Sequence, residues 1–316
     1  MDRIMVSVIC NSYNQEDYIE QTIHSLVNQK TSFRYEILVH DDASTDKTAD
    51  IITKFASKYH ELIIPMFQSV NQYSKGKDIN CDFQFNRVRG RYIAFCEGDD
   101  YWTDRYKLQK QVDVLEKMPE VDICAHAANA IKADSGTVLY RIAPFAKNTL
   151  IKPEDVINGG GGYVATNSIM IRSDIIANCP SWYNILPMDY SLQILGALRG
   201  GMIFLTDNMS AYRIMAKNSW SRRMHENSNM RLCVNRKIID MLNALDESTQ
   251  HKYHDVIENK CEETLFWELY YNKKFKQMKR QPYRTKYKSL SVKNKALINL
   301  NIYAPWILKI LRKFIC

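Results

Sequence analysis

The stretch YIAFCEGDDYW, residues Tyr92–Trp102, joins an apolar run to a dense group of carboxylates. Its first five residues are apolar, and Glu97, Asp99 and Asp100 follow within four positions. A short apolar run that ends at turn residues is typical of a strand covered on both faces of a sheet. Three neighbouring carboxylates repel one another, but their oxygens are the ligands that hard divalent cations prefer. The stretch therefore predicts a buried strand that ends at a metal site.

Three further apolar runs precede this one, and helical patterns separate them. The runs are Val6–Cys10, Glu36–His40 and Leu62–Phe67, and apolar residues recur at helical spacing within Glu16–Asn28 and Ser44–Tyr59. Strands that alternate with helices form parallel sheets through right-handed crossovers. We therefore predict an α/β fold with a mostly parallel sheet flanked by helices.

The rest of the chain divides into a mixed region and a region with helical patterns alone. Residues 1–225 are expected to form one domain, and residues 226–316 a helical C-terminal extension. Within the first domain, we predict helices at Arg105–Met118 and Tyr190–Leu198 and strands at Val121–Ala125, Tyr163–Ile171 and Met202–Leu205.

Polar side chains follow three of the predicted strands. Asn11–Asn14 comes after the first strand, Asp41–Asp46 after the second and Glu97–Trp102 after the fourth. In an open α/β sheet, ligands bind outside the carboxyl ends of the strands. Either Asp42 or Ser44 is expected to cap the following helix. The two adjacent aspartates of this segment would also need a bound donor or cation to offset their repulsion.

Three motifs of this sequence closely resemble those of the family 2 glycosyltransferases. They are VSVICNSYN (Val6–Asn14), ILVHDDASTD (Ile37–Asp46) and the YIAFCEGDDYW stretch, and the resemblance covers residues 4–221. It implies a GT-A fold, a nucleotide-sugar donor that is usually a UDP-sugar, and inversion at the anomeric carbon. It also implies transfer to a hydroxyl of a glycan or lipid-linked saccharide acceptor, in bacterial surface polysaccharide or lipopolysaccharide assembly.

The resemblance also implies roles for individual residues. By motif position, Ser12 and either Asp41 or Asp42 would contact the nucleotide base, Glu97 would face the ribose, and Asp99 would bind Mn²⁺ or Mg²⁺. Such an ion bridges a diphosphate and neutralises charge as it builds on the leaving group. The expected donor-binding residues are Ser12, Tyr13, Asn14, Asp41, Asp42, Glu97 and Arg213.

The expected catalytic residue is Asp189. The family's general base usually sits in a short acidic motif before a helix, and Pro187-Met188-Asp189-Tyr190 occupies that place here. Displacement at a sugar carbon needs a carboxylate that accepts the proton of the acceptor hydroxyl. The alternative is that Asp189 caps the helix that follows it.

The segment Tyr212–Met215 resembles the Tyr-Arg-x-His segment of the family, with one departure. In the family the histidine often lies near the metal and the diphosphate, whereas this chain has Met215. A thioether is a poor ligand for Mg²⁺ or Mn²⁺. Either that contact is therefore absent, or a nearby residue such as Lys217 or Arg213 serves the phosphates, and His225 is a weak substitute.

Two further features carry two interpretations each. The four glycines at Gly159–Gly162 form either an ordinary mobile loop or a loop that closes over substrate. Trp102 is either an anchor in the core or a stacking surface under the acceptor sugar.

The C-terminal tail is strongly basic. No acidic residue follows Glu268, and residues 273–316 carry 13 lysines and arginines, whereas the preceding residues carry 30 basic side chains against 35 acidic ones. Wound as a helix, Trp306–Ile315 would separate its cationic and apolar side chains, which is typical of segments that lie in a membrane interface. We therefore predict that residues 273–316 bind an anionic membrane surface. The alternative is a last helix that packs on the catalytic domain with its lysines in solvent.

Hydropathy and cysteine spacing limit the cellular locations in which the protein is expected. No apolar run reaches the length of a membrane span, and the N-terminus lacks the pattern of a signal peptide. The expected location is the cytoplasm, peripheral on the inner face of the cytoplasmic membrane. The eight cysteines show no CxxC or Cys/His ligand spacing, so neither a disulfide framework nor a zinc site is expected.

Other functional classes fit the sequence less well. A dinucleotide-dependent oxidoreductase would need Gly-x-Gly-x-x-Gly after the first strand, where this chain has Asn11–Asn14. The tail aromatics could stack on nucleic-acid bases, but the rest of the chain is acidic and lacks a nucleic-acid motif, so no nucleic-acid partner is expected. A catalytically weak nucleotide-sugar-binding protein is the main alternative, because the family histidine is missing.

Overall fold

The four apolar runs form the parallel half of a sheet. β1 (Val6–Ser12) pairs in parallel with β2 (Tyr35–Asp41) on one side and with β4 (Tyr92–Phe95) on the other. β2 in turn pairs in parallel with β3 (Ile63–Phe67). Their Ile, Val, Leu and Phe side chains are mostly buried, as expected for parallel strands that are covered on both faces.

These positions come from a computed structural model of the chain, which describes residues 3–217 and 219–307 apart from the side chain of His225. The chain divides into two compact units, Met1–Glu226 and Asn227–Cys316. All strands of the described residues belong to the first unit, and the described part of the second unit is helical.

The other half of the sheet is mixed. β9 (Met170–Arg172) lies antiparallel between β4 and β6 (Ile123–Lys132), and β6 pairs in parallel with the long strand β10 (Met202–Ile214). The backbone order is β3-β2-β1-β4-β9-β6-β10-β5. The remaining short antiparallel strands are β5 (Tyr101–Trp102) and β8 (Thr149–Ile151) on β10, and β7 (Val138–Ile142) on β6. The predicted α/β fold is confirmed, and its sheet is mixed rather than mostly parallel.

Three strand predictions differ from the structure. The strand predicted at Val121–Ala125 begins at Ile123 and continues to Lys132. The segment Tyr163–Ile171 contains a 3₁₀ turn at Thr166–Ser168, and β9 begins only at Met170. The strand predicted at Met202–Leu205 continues to Ile214, because a bulge after Leu205 interrupts its apolar pattern without ending the pairing with β6.

Helices pack on the sheet through regularly spaced apolar residues. In α1, Ile19, Ile23 and Leu26 are buried, and in α3 the corresponding residues are Leu108, Val112 and Leu115. The helices of the first unit are α1 (Ile19–Val27), α2 (Thr48–Lys58), α3 (Lys107–Lys117), α4 (Pro153–Gly159), α5 (Ser173–Ala177), α6 (Asp189–Ala197) and α7 (Trp220–Glu226).

The second unit has its own small core. Its helices are α8 (Ser228–Ser248), α9 (His254–Tyr271), α10 (Phe275–Met278), α11 (Arg284–Ser289) and α12 (Val292–Tyr303). Phe266, Met278 and Ile298 are buried together, so the first part of the basic tail takes part in the folding of this unit. Most of the predicted amphipathic segment Trp306–Ile315 lies outside the described residues. Within the described ranges, none of the helices combines the length and the apolar composition that a membrane span requires.

Candidate active site

The turn after β1 and the turn after β2 are joined by hydrogen bonds. The backbone N–H of Asn14 donates to the Ser44 hydroxyl at 2.9 Å, and the Asn14 side-chain oxygen accepts from the Thr45 N–H at 2.7 Å. The Ser12 hydroxyl donates to the His40 carbonyl at 3.2 Å, whereas the Tyr13 side chain is 38% exposed. The structure thus brings Ser12, Tyr13 and Asn14 to the carboxyl edge of the sheet, as predicted.

Asp41 and Asp42 lie at the same edge, but both carboxylates already accept hydrogen bonds from other groups of the protein. Asp41 accepts from the Ser44 N–H at 3.0 Å and from the Ser44 hydroxyl at 2.5 Å. Asp42 accepts from the backbone N–H groups of Gln72 and Tyr73 at 2.7 and 3.0 Å. The repulsion between the two aspartates is therefore offset within the protein, which corrects the expectation that a bound donor or cation is needed. Neither Asp42 nor Ser44 is the N-cap of α2, which is Lys47.

The acidic loop after β4 is held in place by hydrogen bonds to β1 and α1. The Gly98 N–H donates to the Asn11 carbonyl at 2.8 Å, and the Thr22 hydroxyl on α1 lies 2.9 Å from the Gly98 carbonyl and 2.6 Å from the Asp100 carbonyl. A Cβ atom at Gly98 would lie 2.9 Å from Cβ of Ser12 and 3.1 Å from the Asn11 carbonyl oxygen, neither of which can move aside as a flexible side chain could. Glycine is therefore required between Glu97 and Asp99 because the backbone turn passes directly against the β1–α1 connection.

Asp100 is a structural member of this loop. Its carboxylate accepts from the Arg213 N–H at 2.8 Å and from the Asn167 side-chain amide at 3.0 Å, and the residue is buried. Burial raises the pKa of the Asp100 carboxyl well above its usual range. Both oxygens are engaged inside the protein, so Asp100 anchors the loop on β10.

Asp99 and Glu97 differ from Asp100 because their carboxylates have no hydrogen-bond or ion-pair partner from another residue in the described part of the chain. Burial raises the pKa of Asp99 to about 6. Burial, followed by the charges of Asp99, Asp189 and Asp78, raises the pKa of Glu97 to about 8. Two unpartnered carboxylates in one negative field favour a bound cation. The residues present therefore fit a divalent metal ion, with Asp99 as the ligand that the sequence predicts.

Asp189 is the first residue of α6, and its charge belongs to the same negative field as those of Glu97 and Asp99. Its carboxylate accepts from the Tyr190 N–H at 2.8 Å and from the Thr166 hydroxyl at 3.2 Å. The N-cap position belongs to Met188, whose N–H donates to the Ser191 hydroxyl, so Asp189 is not the cap that the alternative interpretation required. Burial raises the pKa of Asp189 above its usual range, which suits a carboxylate that accepts a proton.

The four-glycine run lies beside Asp189. The Gln193 side-chain amide on α6 donates to the Gly161 carbonyl at 3.0 Å. A Cβ atom at Gly161 would meet Oδ1 of Asp189 at 3.4 Å, whereas one at Gly162 would meet nothing within 4 Å. The backbone of Gly161 thus lies close to the carboxylate of Asp189.

Arg213 lies next to the acidic loop but is used within the protein. Its guanidinium donates to the Asp99 carbonyl and to Oε1 of Gln21, and it lies 4.9 Å from the ring centres of both Tyr18 and Tyr101. This arrangement gives Arg213 a positioning role in the acidic loop, and its contact with phosphates stays a prediction.

Met215 stands at the position of the family histidine, and Lys217 and His225 are nearby candidates for its role. Met215 follows β10 with a φ of 59°, a left-handed conformation that ends the strand. Lys217 is exposed, so its ammonium group can reach solvent or a bound anion. The side chain of His225 lies outside the described residues.

Trp102 is a core anchor. Its side chain is 4% exposed, and its indole N–H donates to the Asn167 carbonyl at 2.9 Å. The ammonium group of Lys107 lies 4.1 Å from the ring centre and donates to Gln111 at 2.7 Å. Burial lowers the pKa of Lys107 to about 7. The buried ring leaves no surface for stacking under a sugar.

Sequence reasoning missed several residues that position the acidic loop. Asn167 links Asp100 to β10 by donating also to the Ala211 carbonyl at 2.9 Å. Gln84 and Asn80 bond the side chain of Asn11 at 2.9 Å each. The polar run Thr166–Ser168 within a predicted apolar strand was the available signal for Asn167, whereas the segment around Asn80 carries none that we recognise.

Similar solved structures share the fold. TarS from S. aureus in complex with UDP-GlcNAc superposes with a TM-score of 0.57 at 17% identity, covering 76% of this chain and 66% of that one. The mannosyltransferase PcManGT from Pyrobaculum calidifontis, in complex with GDP-Man and Mn²⁺, has a TM-score of 0.57 at 15% identity, covering 97% of this chain and 83% of that one. Identities this low establish similarity of fold alone.

Relatives found by sequence comparison have a higher identity to this chain than these solved structures do. The putative teichuronic acid biosynthesis glycosyltransferase TuaG of Bacillus subtilis is 38% identical over 59% of this chain and 74% of its own length. The Escherichia coli UDP-Glc:alpha-D-GlcNAc-diphosphoundecaprenol beta-1,3-glucosyltransferase WfaP is 37% identical over 35% of this chain and 41% of its own length. An uncharacterized protein of Mycobacterium tuberculosis, Rv1520, is 33% identical over 68% of this chain, which spans only 60% of that relative.

The family profile described as "Glycosyl transferase family 2" matches residues 7–176, more than half of the chain. This match covers β1, β2 and the acidic loop after β4, the elements that carry the predicted motifs. The chain therefore belongs to glycosyl transferase family 2.

Proposed function

We propose that this protein is an inverting glycosyltransferase that uses a nucleoside diphosphate sugar, most consistently a UDP-sugar. The observation that carries the proposal is the pair of carboxylates of half-buried Glu97 and buried Asp99, which have no partner from another described residue and whose negative field includes Asp189. A structural cluster would have satisfied these groups internally, as it does for Asp100. A metal ion and a diphosphate are the partners that complete this arrangement.

Asp99 would hold the cation, Mn²⁺ or Mg²⁺, with Glu97 close by on the ribose side. When bound, the ion would neutralise the diphosphate as a leaving group. Arg213 keeps the backbone of Asp99 in place through its bond to the Asp99 carbonyl, and Asn167 and Thr22 hold the rest of the loop. The chain's own part is thus to present a preorganised carboxylate at a fixed position.

Asp189 would act as the general base. An acceptor hydroxyl entering beside Gly161 would give its proton to the Asp189 carboxylate while its oxygen bonds to the anomeric carbon. The bond from that carbon to the diphosphate oxygen would break in the same displacement, and the configuration would invert. The Thr166 hydroxyl and the Tyr190 N–H orient the carboxylate for this role.

The acceptor is proposed to be a glycan or a lipid-linked saccharide in bacterial surface polysaccharide assembly. TuaG is named for teichuronic acid biosynthesis, and the name of WfaP specifies UDP-Glc and a diphosphoundecaprenol acceptor. Both relatives support an acceptor of this class, although the aligned part of WfaP is short.

We further propose that the basic tail keeps the enzyme at an anionic membrane surface, where a lipid-linked acceptor is available. Lys273, Lys274 and Lys276 are exposed around α10. Tyr303 and Trp306 are 72% and 62% exposed, and such amphipathic rings are favoured at membrane interfaces. Location at the cytoplasmic face of the membrane is part of this proposal.

The test is a panel of UDP- and GDP-sugars, measured by metal-dependent thermal stabilisation and then by release of the nucleoside diphosphate. We expect one donor to raise the melting temperature with Mn²⁺ or Mg²⁺ and to be hydrolysed slowly without acceptor. The same measurements are made on Asp99→Asn, which removes the proposed metal ligand. Asp113→Asn, at an exposed aspartate of α3, is its matched control. A stabilising donor that stays intact with metal and with saccharide acceptors would favour the binding-protein alternative, and stabilisation by none would contradict the proposal.

A further inference from the structure

A separate group of possible metal ligands lies in the second unit, where α8 connects to α9. Asp246 is in the last turn of α8, His251 lies in the connection, and His254 is the first residue of α9. One oxygen of Asp246 and one nitrogen of each histidine all lie within 4.8 Å of one another. The cluster uses no cysteine, so the cysteine spacing that argued against a zinc site could not reveal it.

The three side chains converge on one point. Nδ1 of His251 and Nδ1 of His254 lie 2.9 and 2.8 Å from the same oxygen, Oδ2 of Asp246. The other oxygen, Oδ1, is buried and has no hydrogen-bond partner among the described residues. The Asp246 side chain is only 10% exposed. An unsatisfied oxygen on a buried carboxylate needs an explanation, and an ion that contacts this oxygen as well as Oδ2 is one of the few that apply.

The backbone of the connection directs the imidazoles toward Asp246. Gln250 and His251 are both left-handed, with φ values of 54° and 61°. The His251 N–H donates to the Asp246 carbonyl at 2.9 Å, and the His254 N–H donates to the His251 carbonyl at 3.2 Å. The chain thus folds back over the end of α8, and both rings meet the carboxylate from the same connection.

We propose that Asp246, His251 and His254 bind a zinc ion that joins the end of α8 to the start of α9. Two imidazole nitrogens and one carboxylate oxygen are a ligand set that suits zinc, whereas Mg²⁺ and Mn²⁺ prefer oxygen ligands alone. A water molecule would take the fourth position. The site is distinct from the acidic loop of the first unit and does not depend on the proposed transfer activity.

Binding would require the ligand atoms, which already lie within 4.8 Å of one another, to move to tetrahedral spacing. Zinc bonds of about 2.0–2.1 Å place tetrahedral ligand atoms about 3.3 Å apart, so each Nδ1–Oδ2 distance would lengthen by about half an ångström. The side chains of His251 and His254 are 66% and 56% exposed, so their rings can rotate without repacking the core. The ion would take the place of the protons now shared between the rings and the carboxylate.

The proposal is tested by titrating zinc into the full chain after removal of metals with a chelator. Excess Mg²⁺ is kept present so that the acidic loop does not compete for zinc, and Co²⁺ is used in parallel because its visible absorption reports nitrogen and oxygen ligands. We expect one equivalent of zinc to bind and to raise the melting temperature. His251→Gln and His254→Gln should each weaken binding at least tenfold, on the order of the effect of altering a metal site's ligand environment.

His60→Gln is the matched control, since His60 is an exposed histidine of the first unit. It should bind zinc as the wild type does and give the same Co²⁺ spectrum. Circular dichroism establishes that each variant is folded before its binding is compared. Failure of the wild type to bind zinc, or equal binding by the wild type and both α8–α9 histidine variants, would overturn the proposal and leave the three residues as a hydrogen-bonded clamp.

Discussion

The side-chain amide of Asn167 donates a 3.0 Å hydrogen bond to the carboxylate of Asp100, and both residues are buried. Asn167 also accepts from the Ser210 hydroxyl at 2.7 Å on β10. Asn167 is therefore one of several links between the acidic loop and β10. Arg213 of β10 supplies two others, from its N–H to the Asp100 carboxylate and from its guanidinium to the Asp99 carbonyl.

Replacing Asn167 should destabilise the protein and disturb the acidic loop. Asn167→Ala leaves one oxygen of Asp100, Oδ2, and the Ser210 hydroxyl each without the buried hydrogen bond that Asn167 supplies, which costs about 2–4 kcal/mol of unfolding free energy. Urea denaturation of the metal-free protein measures this loss. Asn178→Ala, at an exposed asparagine, should change the unfolding free energy by less than about 0.5 kcal/mol. Similar values for the two variants would show that the amide is not a structural link.

The parts of the site that the sequence could predict are those coded by consecutive residues. The strand ends that carry Ser12, Asp41 and Glu97 follow apolar runs, and parallel pairing brings such ends to one edge. The sequence could not predict which aspartate of the acidic loop is held by protein hydrogen bonds and which is not, because Asp99 and Asp100 are adjacent and of the same type. Only tertiary partners distinguish the satisfied carboxylate from the unpartnered one.

Pairings between distant segments account for most of what the sequence did not reveal. The donor bonds that satisfy Asp42 come from a loop 30 residues away, and the α8–α9 cluster depends on two left-handed residues that no local pattern marks. The guanidinium of Arg213 lies against two tyrosines from separate elements, a contact that no local pattern predicts. Such contacts depend on how elements pack, which periodicity does not encode.

Asp99→Asn should abolish metal-stimulated transfer without unfolding the protein. Loss of the ligand should remove several kcal/mol of transition-state stabilisation, on the order of 100- to 1,000-fold in rate. Because burial raises the pKa of Asp99, its charge opposes folding near neutral pH, so the metal-free variant should be at least as stable as the wild type. Transfer rates and melting temperatures with and without Mn²⁺ test both parts. Full activity that still depends on metal would remove Asp99 from this role.

Asp189→Asn should lower turnover while leaving donor binding nearly unchanged. A positioned general base contributes roughly 100- to 10,000-fold, and the amide cannot accept the proton of the acceptor hydroxyl. Single-turnover transfer and calorimetric donor binding separate the two quantities. Asp174→Asn, at an exposed aspartate in the first turn of α5, should affect neither. If donor binding were lost while bound donor still reacted, Asp189 would instead be a structural residue.

The buried ammonium of Lys107 should make stability depend on pH. Burial lowers its pKa to about 7 from the usual 10.5, so between these values the unfolded chain holds a proton that the folded chain does not. Stability from this group therefore rises with pH above 7, by at most about 1.4 kcal/mol per pH unit. The unfolding free energy of the wild type minus that of Lys107→Met should rise by about 1–2 kcal/mol from pH 7 to pH 9. Lys117→Met, at an exposed lysine of α3, should keep the wild-type pH profile, and a flat difference for Lys107→Met would contradict the prediction.

Binding to anionic membranes should depend on specific lysines of the tail and not only on net charge. Removing the whole tail after Asn272 would also remove Met278 and Ile298 from the small core, so substitutions are the cleaner change. Each basic residue near an anionic surface contributes about 1 kcal/mol, so replacing three of them should weaken binding on the order of 100-fold. The test variant is Lys273→Gln, Lys274→Gln and Lys276→Gln combined. Its control, with the same net charge, combines Lys54→Gln, Lys58→Gln and Lys117→Gln at exposed lysines of the first unit.

Sedimentation with liposomes of anionic or neutral lipid measures the binding of both triple variants. The wild type and the control should sediment with anionic liposomes at low salt and be released as salt rises, because a Debye length of about 10 Å at 0.1 M screens surface charges. The tail variant should remain in the supernatant. If both triple variants bound equally, or if binding ignored lipid charge and salt, the basic residues of the tail would serve only as the solvated surface of the second unit.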